Sequence, residues 1–175
     1  MIDFTISTAT LQDIPRLISL VNNAYRGEHS KKGWTTEAFL LEGNQRIDEP
    51  TLQQMMQTPG GIIKKCVTHA GEIVGCVYLA VQANELYLGM LSVSPDMQAQ
   101  GIGKKILTAA EEYALASNCT AINMTVISVR QELINWYIRH GYYLTGETKP
   151  FPTDNRFGTP TQAIEFVVLQ KPMSA

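Results

Sequence analysis

The residues best suited to chemistry in this chain stand at Gln98-Ala99-Gln100-Gly101-Ile102-Gly103-Lys104. There a Gln-x-x-Gly-x-Gly spacing follows an apolar strand and a short Pro/Asp turn, and opens a helix. Glycine lets a backbone approach a ligand closely, and the unpaired N–H groups of a first helical turn, with the helix dipole, favour an anion. The segment reads as a phosphate cradle, and the ligand it suits carries a pyrophosphate. Two other phosphate motifs fit poorly. A dinucleotide fingerprint wants a third glycine where Ile106 stands, in the first strand–helix unit, and an acidic residue about 20 positions on. A Walker loop needs an earlier glycine and a hydroxyl after the lysine, and Gly103-Lys104-Lys105 offers neither. Taken alone, the glycines could also serve only a tight strand-to-helix turn.

A second element narrows the choice. After an apolar strand at 121–127 comes a helical stretch ending Trp136-Tyr137-Ile138-Arg139-His140-Gly141-Tyr142, where Gly141 stops the helix and Tyr142-Tyr143-Leu144 starts a strand. The order strand, Gln-x-x-Gly-x-Gly, helix, strand, helix, Tyr-x-x-x-Gly-Tyr resembles the GNAT superfamily of acetyl-CoA-dependent N-acetyltransferases, over about residues 6–169. The resemblance implies that the pyrophosphate belongs to coenzyme A and that acetyl-CoA is the cofactor. It implies a bulge at Gly89 that frees main-chain groups of Leu91, Ser92 and Val93 for the pantetheine arm. The same carry-over gives Gln98, Ala99, Gln100, Gly101, Ile102, Gly103 and Lys104 to the cofactor, and Tyr137 to both the cofactor and the departing thiolate. One position departs from the pattern: seven residues before Tyr137 many members carry Asn, and here stands Arg130. Arg130 can pair with a coenzyme phosphate, with an acceptor carboxylate, or with Glu132 or Glu147. The runs 126–134 and 146–152 look like a group of small GNAT proteins whose acceptor is poorly defined.

The reaction that this resemblance implies sets requirements on side chains. An alkylamine with a pKa near 10.4 is only about one part in a thousand neutral at pH 7.4, so a base or a water chain must take its proton. Glu85 opens the central strand and, by period two, shares a face with Tyr87, Gly89 and Leu91. Glu37 is a second candidate base. The resemblance places the oxyanion donor at a backbone N–H near Met90-Leu91. Acceptor binding is expected from residues 25–60 and the loop 150–161. Tyr25, Arg26, Trp34 and Arg46 supply aromatic walls and guanidinium groups suited to a small amine with its own carboxylate. The function expected is acetyl transfer to a primary amine of a small, amino-acid-like molecule. A non-catalytic acyl-CoA-binding sensor, or transfer to protein amines, are the alternatives.

The elements that must hold these residues follow from periodicity. Residues 4–7 alternate as a strand, and Thr10-x-x-Asp13 offers a capping box to a helix carrying Ile14, Leu17, Ile18, Val21 and Tyr25. Gly33-Trp34-Thr35-Thr36-Glu37 suggests a turn and an N-cap leading into a helical stretch at 38–42, with another at 49–56. Residues 62–69 and 72–81 read as a hairpin through Ala70-Gly71, the second strand apolar on both faces. The central strand is 85–93, and a last strand at 164–169 lies antiparallel to 142–147. The expected fold is mixed α/β, GNAT-like, with a mostly antiparallel sheet of about seven strands, a central splay and about four flanking helices, as one domain over 1–175.

Composition bounds the rest. At 175 residues and 45% hydrophobic content the chain can bury a substantial core without disulfides. A formal net charge of −2 gives no basic surface for nucleic acid. Lys31-Lys32 and Lys64-Lys65 read as solvated loop or strand ends. Cys66, Cys76 and Cys119 sit in or beside apolar runs as reduced thiols, and with His29, His69 and His140 they form no metal-ligand spacing. No segment approaches the roughly 18–20 apolar residues of a membrane span. A cytoplasmic location is expected by elimination, and an edge strand after Phe157 could pair across a two-fold axis as a homodimer.

Overall fold

The computed structural model describes residues 3–26, 30–43, 45–98, 100–152 and 158–173. Its strands are β1 (Phe4–Thr8), β2 (Leu41–Glu42), β3 (Gly61–Thr68), β4 (Ile73–Gln82), β5 (Glu85–Val93), β6 (Ala121–Ile127), β7 (Tyr143–Pro150), β8 (Thr159–Pro160) and β9 (Glu165–Pro172). The helices are α1 (Ile14–Tyr25), α2 (Glu49–Gln57), α3 (Ile102–Ala116) and α4 (Gln131–Arg139). Seven strands form one sheet in the order β1-β3-β4-β5-β6-β9-β7, and β2 pairs separately with β8.

Each helix forms where its apolar face finds this sheet. The α1 residues Ile14, Leu17, Val21 and Ala24 cover one side, and the α3 residues Ile102, Ile106, Ala110 and Ala114 cover the other. Between them, β4 is buried from Ile73 to Ala80 on both faces. The entry to α1 is fixed by Asp13, whose carboxylate accepts from the Thr10 N–H at 2.9 Å and pairs with Arg16 at 2.7 Å and Lys65 at 2.9 Å. Burial alone would raise its pKa, but the Thr10 hydrogen bond and the two cations prevail and hold it below the ordinary 3.8. Lys65 is thus an ion-pair partner rather than a solvated strand end.

The splay lies in the middle of the sheet. Among the described strands β5 and β6 are the only parallel neighbours, and they pair only from Glu85–Tyr87 to Ala121–Asn123. Farther along, β5 carries a bulge. Gly89 stands opposite Tyr78 and Ser92 opposite Cys76, so β5 spends one more residue than β4 over this stretch, and Met90 takes a φ of +56°.

That extra residue shifts the alternation of side chains. Tyr87 and Met90 pack on the α1 side, whereas Leu86, Leu88, Leu91 and Val93 pack on the α3 side. The expectation that Glu85 and Leu91 share a face is therefore corrected: strict period two fails across a bulge.

Two other expectations are corrected. Residues 38–42 are not helical. Glu37 O accepts from Leu40 N and Leu41 N at 2.9 Å, one turn forms, and the backbone is then recruited by β8. So short a stretch, with Phe39 70% exposed, cannot repay helix nucleation. The segment after Phe157 is not a free edge either. It pairs with β2 and then enters the sheet as β9, between β6 and β7. Among the described residues no helix is long and apolar enough to cross a membrane.

Candidate active site

Two cavities flank the splay. The first is lined by Gly101, Ile102, Gly103 and Lys104 at the start of α3, by Leu91, Val93, Met97 and Gln98, by Trp34 and Thr35, and by Leu133, Trp136 and Tyr137 of α4. The second lies between Tyr25, Glu37 and Arg46 on one side and β5, β6 and Phe166 on the other. Tyr25, Leu91, Leu133 and Tyr137 belong to both. A group in one chamber would meet a group in the other at these four residues.

The first chamber has the features of an anion cradle. Lys105 N reaches back to Gly101 O at 3.0 Å, so the N–H groups of Ile102, Gly103 and Lys104 lie ahead of the first intrahelical bond. Gly101 caps the helix at φ +81°, a conformation costly to any residue with a side chain, and a Cβ there would meet nothing within 4 Å. The open space in front of it, the forward N–H groups and the Lys104 ammonium fit a pyrophosphate. Gly103 has another reason to be glycine: a Cβ would lie 3.1 Å from the Trp136 ring. The indole, rather than the phosphate space, is what a side chain at 103 would strike first.

Gln98 lines this chamber, but its amide serves the protein. Its Oε1 accepts from Trp34 N at 2.8 Å, and its Nε2 donates to Thr35 Oγ1 at 2.7 Å and to Val93 O at 3.2 Å. It therefore clasps the strap 30–37 over the cradle. Trp34, expected on the acceptor side, lines the first chamber instead, 6.2 Å from the Trp136 ring. Gln100 is exposed and outside the lining, with Nε2 beside Met97 Sδ at 3.9 Å. Ala99 lies outside the described residues, as does 153–157 within the expected acceptor loop. Leu91 and Val93 face the chamber; the Ser92 side chain is buried on the other side, its hydroxyl donating to Met90 O at 3.0 Å.

The charged residues form a chain beside the second chamber. One Glu37 oxygen takes a hydrogen bond from Arg26, and the other lies 3.4 Å from Arg130 Nη1. Arg26 is buried and lines neither chamber, so its expected contact with an acceptor is replaced by an internal ion pair. Burial lowers its pKa and Glu37 opposes that shift. Arg130 also lines neither chamber. It joins the start of α4 to the strap through Glu37, in place of its expected coenzyme, Glu132 or Glu147 partners. Arg46 does line the second chamber, its guanidinium 5.5 Å from the Tyr25 ring centroid. The Tyr25 hydroxyl donates to Leu91 O, and burial pushes its pKa up to about 12.

Tyr137 is 5% exposed at the junction, and burial, with Tyr25 and Tyr142 nearby, raises its pKa well above 10. Glu85 stands outside both chambers, in an adjoining polar groove. Its Oε2 accepts from Asn123 at 2.7 Å, and Asn123 Oδ1 accepts from Gln170 at 2.8 Å. The groove and the second chamber share Tyr87, Met124 and Thr125. Sequence reasoning missed Thr35, Met97, Leu133 and the cavity role of Trp136. The spacing of Leu133, Trp136 and Tyr137 at i, i+3 and i+4, which puts them on one helix face, was the signal that could have found two of them.

Comparison with known proteins agrees with this geometry. A model of the acetyltransferase (GNAT) family matches residues 20–142. The ribosomal-protein-S18-alanine N-acetyltransferase from Escherichia coli superposes with a TM-score of 0.76 at 17% identity, over 99% of this chain and 96% of that one. The Salmonella typhimurium protein yncA, solved with its cofactor acetyl-CoA, gives 0.71 at 14% identity, over 99% and 95%. The paia N-acetyltransferase from Thermoplasma acidophilum, in complex with coenzyme A, gives 0.68 at 14%, over 97% and 99%. At such identities these structures share the fold.

Proposed function

The chain belongs to the acetyltransferase (GNAT) family, and from that premise we propose that it moves an acetyl group from acetyl-CoA directly to the primary amine of a small molecule. The observation that carries this reading is the meeting of two chambers on Tyr25, Leu91, Leu133 and Tyr137. When bound, acetyl-CoA supplies an acetyl thioester. In the transfer a nitrogen–carbon bond forms and a carbon–sulfur bond breaks, one proton leaves nitrogen, and one arrives at sulfur.

The chain's residues divide that work. The forward N–H groups of α3 and Lys104 would hold the pyrophosphate, and the main chain of β5 from Leu91 to Val93 would serve the pantetheine arm. A backbone N–H at the bulge near Leu91 stabilises developing negative charge on oxygen. Tyr137 donates to the departing sulfur. Its raised pKa exceeds the roughly 8.5 of an alkyl thiol, so it supplies a hydrogen bond to thiolate and solvent supplies the final proton. Glu85 takes the amine's proton through water, by way of the groove beyond Tyr87. Glu37 remains a structural anion, since both its oxygens face guanidinium groups.

Thiol release from acetyl-CoA, followed across amino acids, polyamines, aminoglycosides and peptides, tests the reading. Turnover on small amines supports it, and turnover on peptides alone redirects it to protein amines. Coenzyme binding with a flat response across the panel makes the chain a non-catalytic acyl-CoA sensor.

A further inference from the structure

Resting on that reading, we infer that the acceptor amine carries its own carboxylate and that Arg46 is the residue that recognises it. Among the described residues, the charged ones lining the acceptor chamber are Glu37 and Arg46. Glu37 is already committed: Arg26 and Arg130, with side chains 3% and 10% exposed, face its two oxygens. Arg46 pairs with no carboxylate among the described residues. Its guanidinium lies over the Tyr25 ring, and the Asn22 side chain accepts from the backbone N–H groups of Arg46 and Ile47, which fixes the chain that carries it.

Charge decides the acceptor class. Arg26 and Arg130 engage the two Glu37 oxygens, so among the described residues Arg46 is the charged group of this lining that faces no carboxylate. A polyamine entering this chamber would add like charge beside Arg46. An amine that brings an anion would complement it. The planar guanidinium of Arg46 presents parallel N–H donors to a carboxylate, and a partly desolvated pair of this kind is among the stronger hydrogen bonds available. Tyr25 carries the geometry from recognition to chemistry, because its ring lies under Arg46 while its hydroxyl reaches Leu91 O at the junction. A carboxylate held at Arg46 would leave the attached amine toward Tyr137. The carboxylates Glu85 and Glu147 lie in the adjoining groove, with Lys149 beside them on the same lining.

The test uses the intact protein, acetyl-CoA, and a panel of α-, β- and γ-amino acids, each with its methyl ester and carboxamide, together with spermidine. The best acceptor is expected to be a free acid, with kcat/KM at least about 10-fold above its own ester, the size of one charge-assisted hydrogen bond. Arg46→Ala should raise KM for the acid by about 10- to 100-fold and collapse the acid-to-ester ratio toward one, and Arg46→Lys should restore part of that ratio. An ester or spermidine as the best substrate overturns the inference, and so does an equal loss on acid and ester in Arg46→Ala. Should no amine be acetylated, calorimetry of the same acids on coenzyme A-saturated protein keeps the two ideas apart. Acid binding that Arg46→Ala abolishes supports the carboxylate site and defeats the transfer reading; the absence of acid binding defeats the carboxylate site.

Discussion

At the scale of single residues, the junction turns on one hydroxyl. Tyr137→Phe keeps the ring, which packs edge-on against Trp136 and Tyr142, and deletes only the hydroxyl proposed to donate to sulfur. Loss of one well-placed donor to developing charge costs about 10²-fold, so kcat should fall by that order while coenzyme A affinity and thermal stability change little. An acetyl donor with a low-pKa thiophenol leaving group should recover part of the rate. Full kcat in Tyr137→Phe under chemistry-limited turnover would make the ring purely structural. Burial also fixes the pH behaviour: because the Tyr137 pKa lies well above 10, the hydroxyl keeps its proton across the working range. A kcat profile should therefore show no descending tyrosine limb below about pH 10.

At the scale of elements, two polar side chains do the joining. Gln98 ties the strap 30–37 to the end of β5 by three hydrogen bonds, and Gly33 lies so close that a Cβ there would stand 2.4 Å from Gln98 Oε1. Gln98→Ala should free the strap at a local cost of about 1–3 kcal/mol. Faster tryptic cleavage after Lys31 or Lys32 and weaker coenzyme A binding are the expected readouts, and unchanged cleavage would deny the clasp. Asp13 joins the entry of α1 to β3 through Lys65. With its folded pKa below 3.8, the carboxylate contributes stability at pH values above the unfolded pKa and loses it as pH falls through the folded one. Asp13→Asn should thus lower unfolding free energy by about 1–3 kcal/mol at pH 6 and by progressively less as pH falls below 3.8, measured by urea denaturation across that range.

At the scale of the whole molecule, ligand binding and folding are linked. Coenzyme A at about 100 times its dissociation constant adds about 2.7 kcal/mol, which for a domain of this size raises Tm by roughly 5–10 °C. Gly101→Val should abolish that shift, since the φ of +81° excludes a branched side chain and the open space ahead of it is the proposed cradle. A shift of equal size in the variant would remove the cradle assignment. The order of elements, the glycine-led start of α3, the helix carrying Tyr137 and the family itself could be read from the sequence, because periodicity, glycine placement and helix stops are local. Strand bounds at 85–93 and 121–127 came out as read. Three outcomes depended on contacts distant in sequence. The turn at 38–42 was decided by pairing with β8, and the fate of Arg26 and Arg130 by Glu37 arriving between them. The facing of Leu91 was decided by one bulged residue at Met90. Local propensity acts over a few residues and is written in their order. Which cation is buried, and which face a side chain takes beyond a bulge, depends on what the folded chain brings beside it, and only the tertiary structure specifies that.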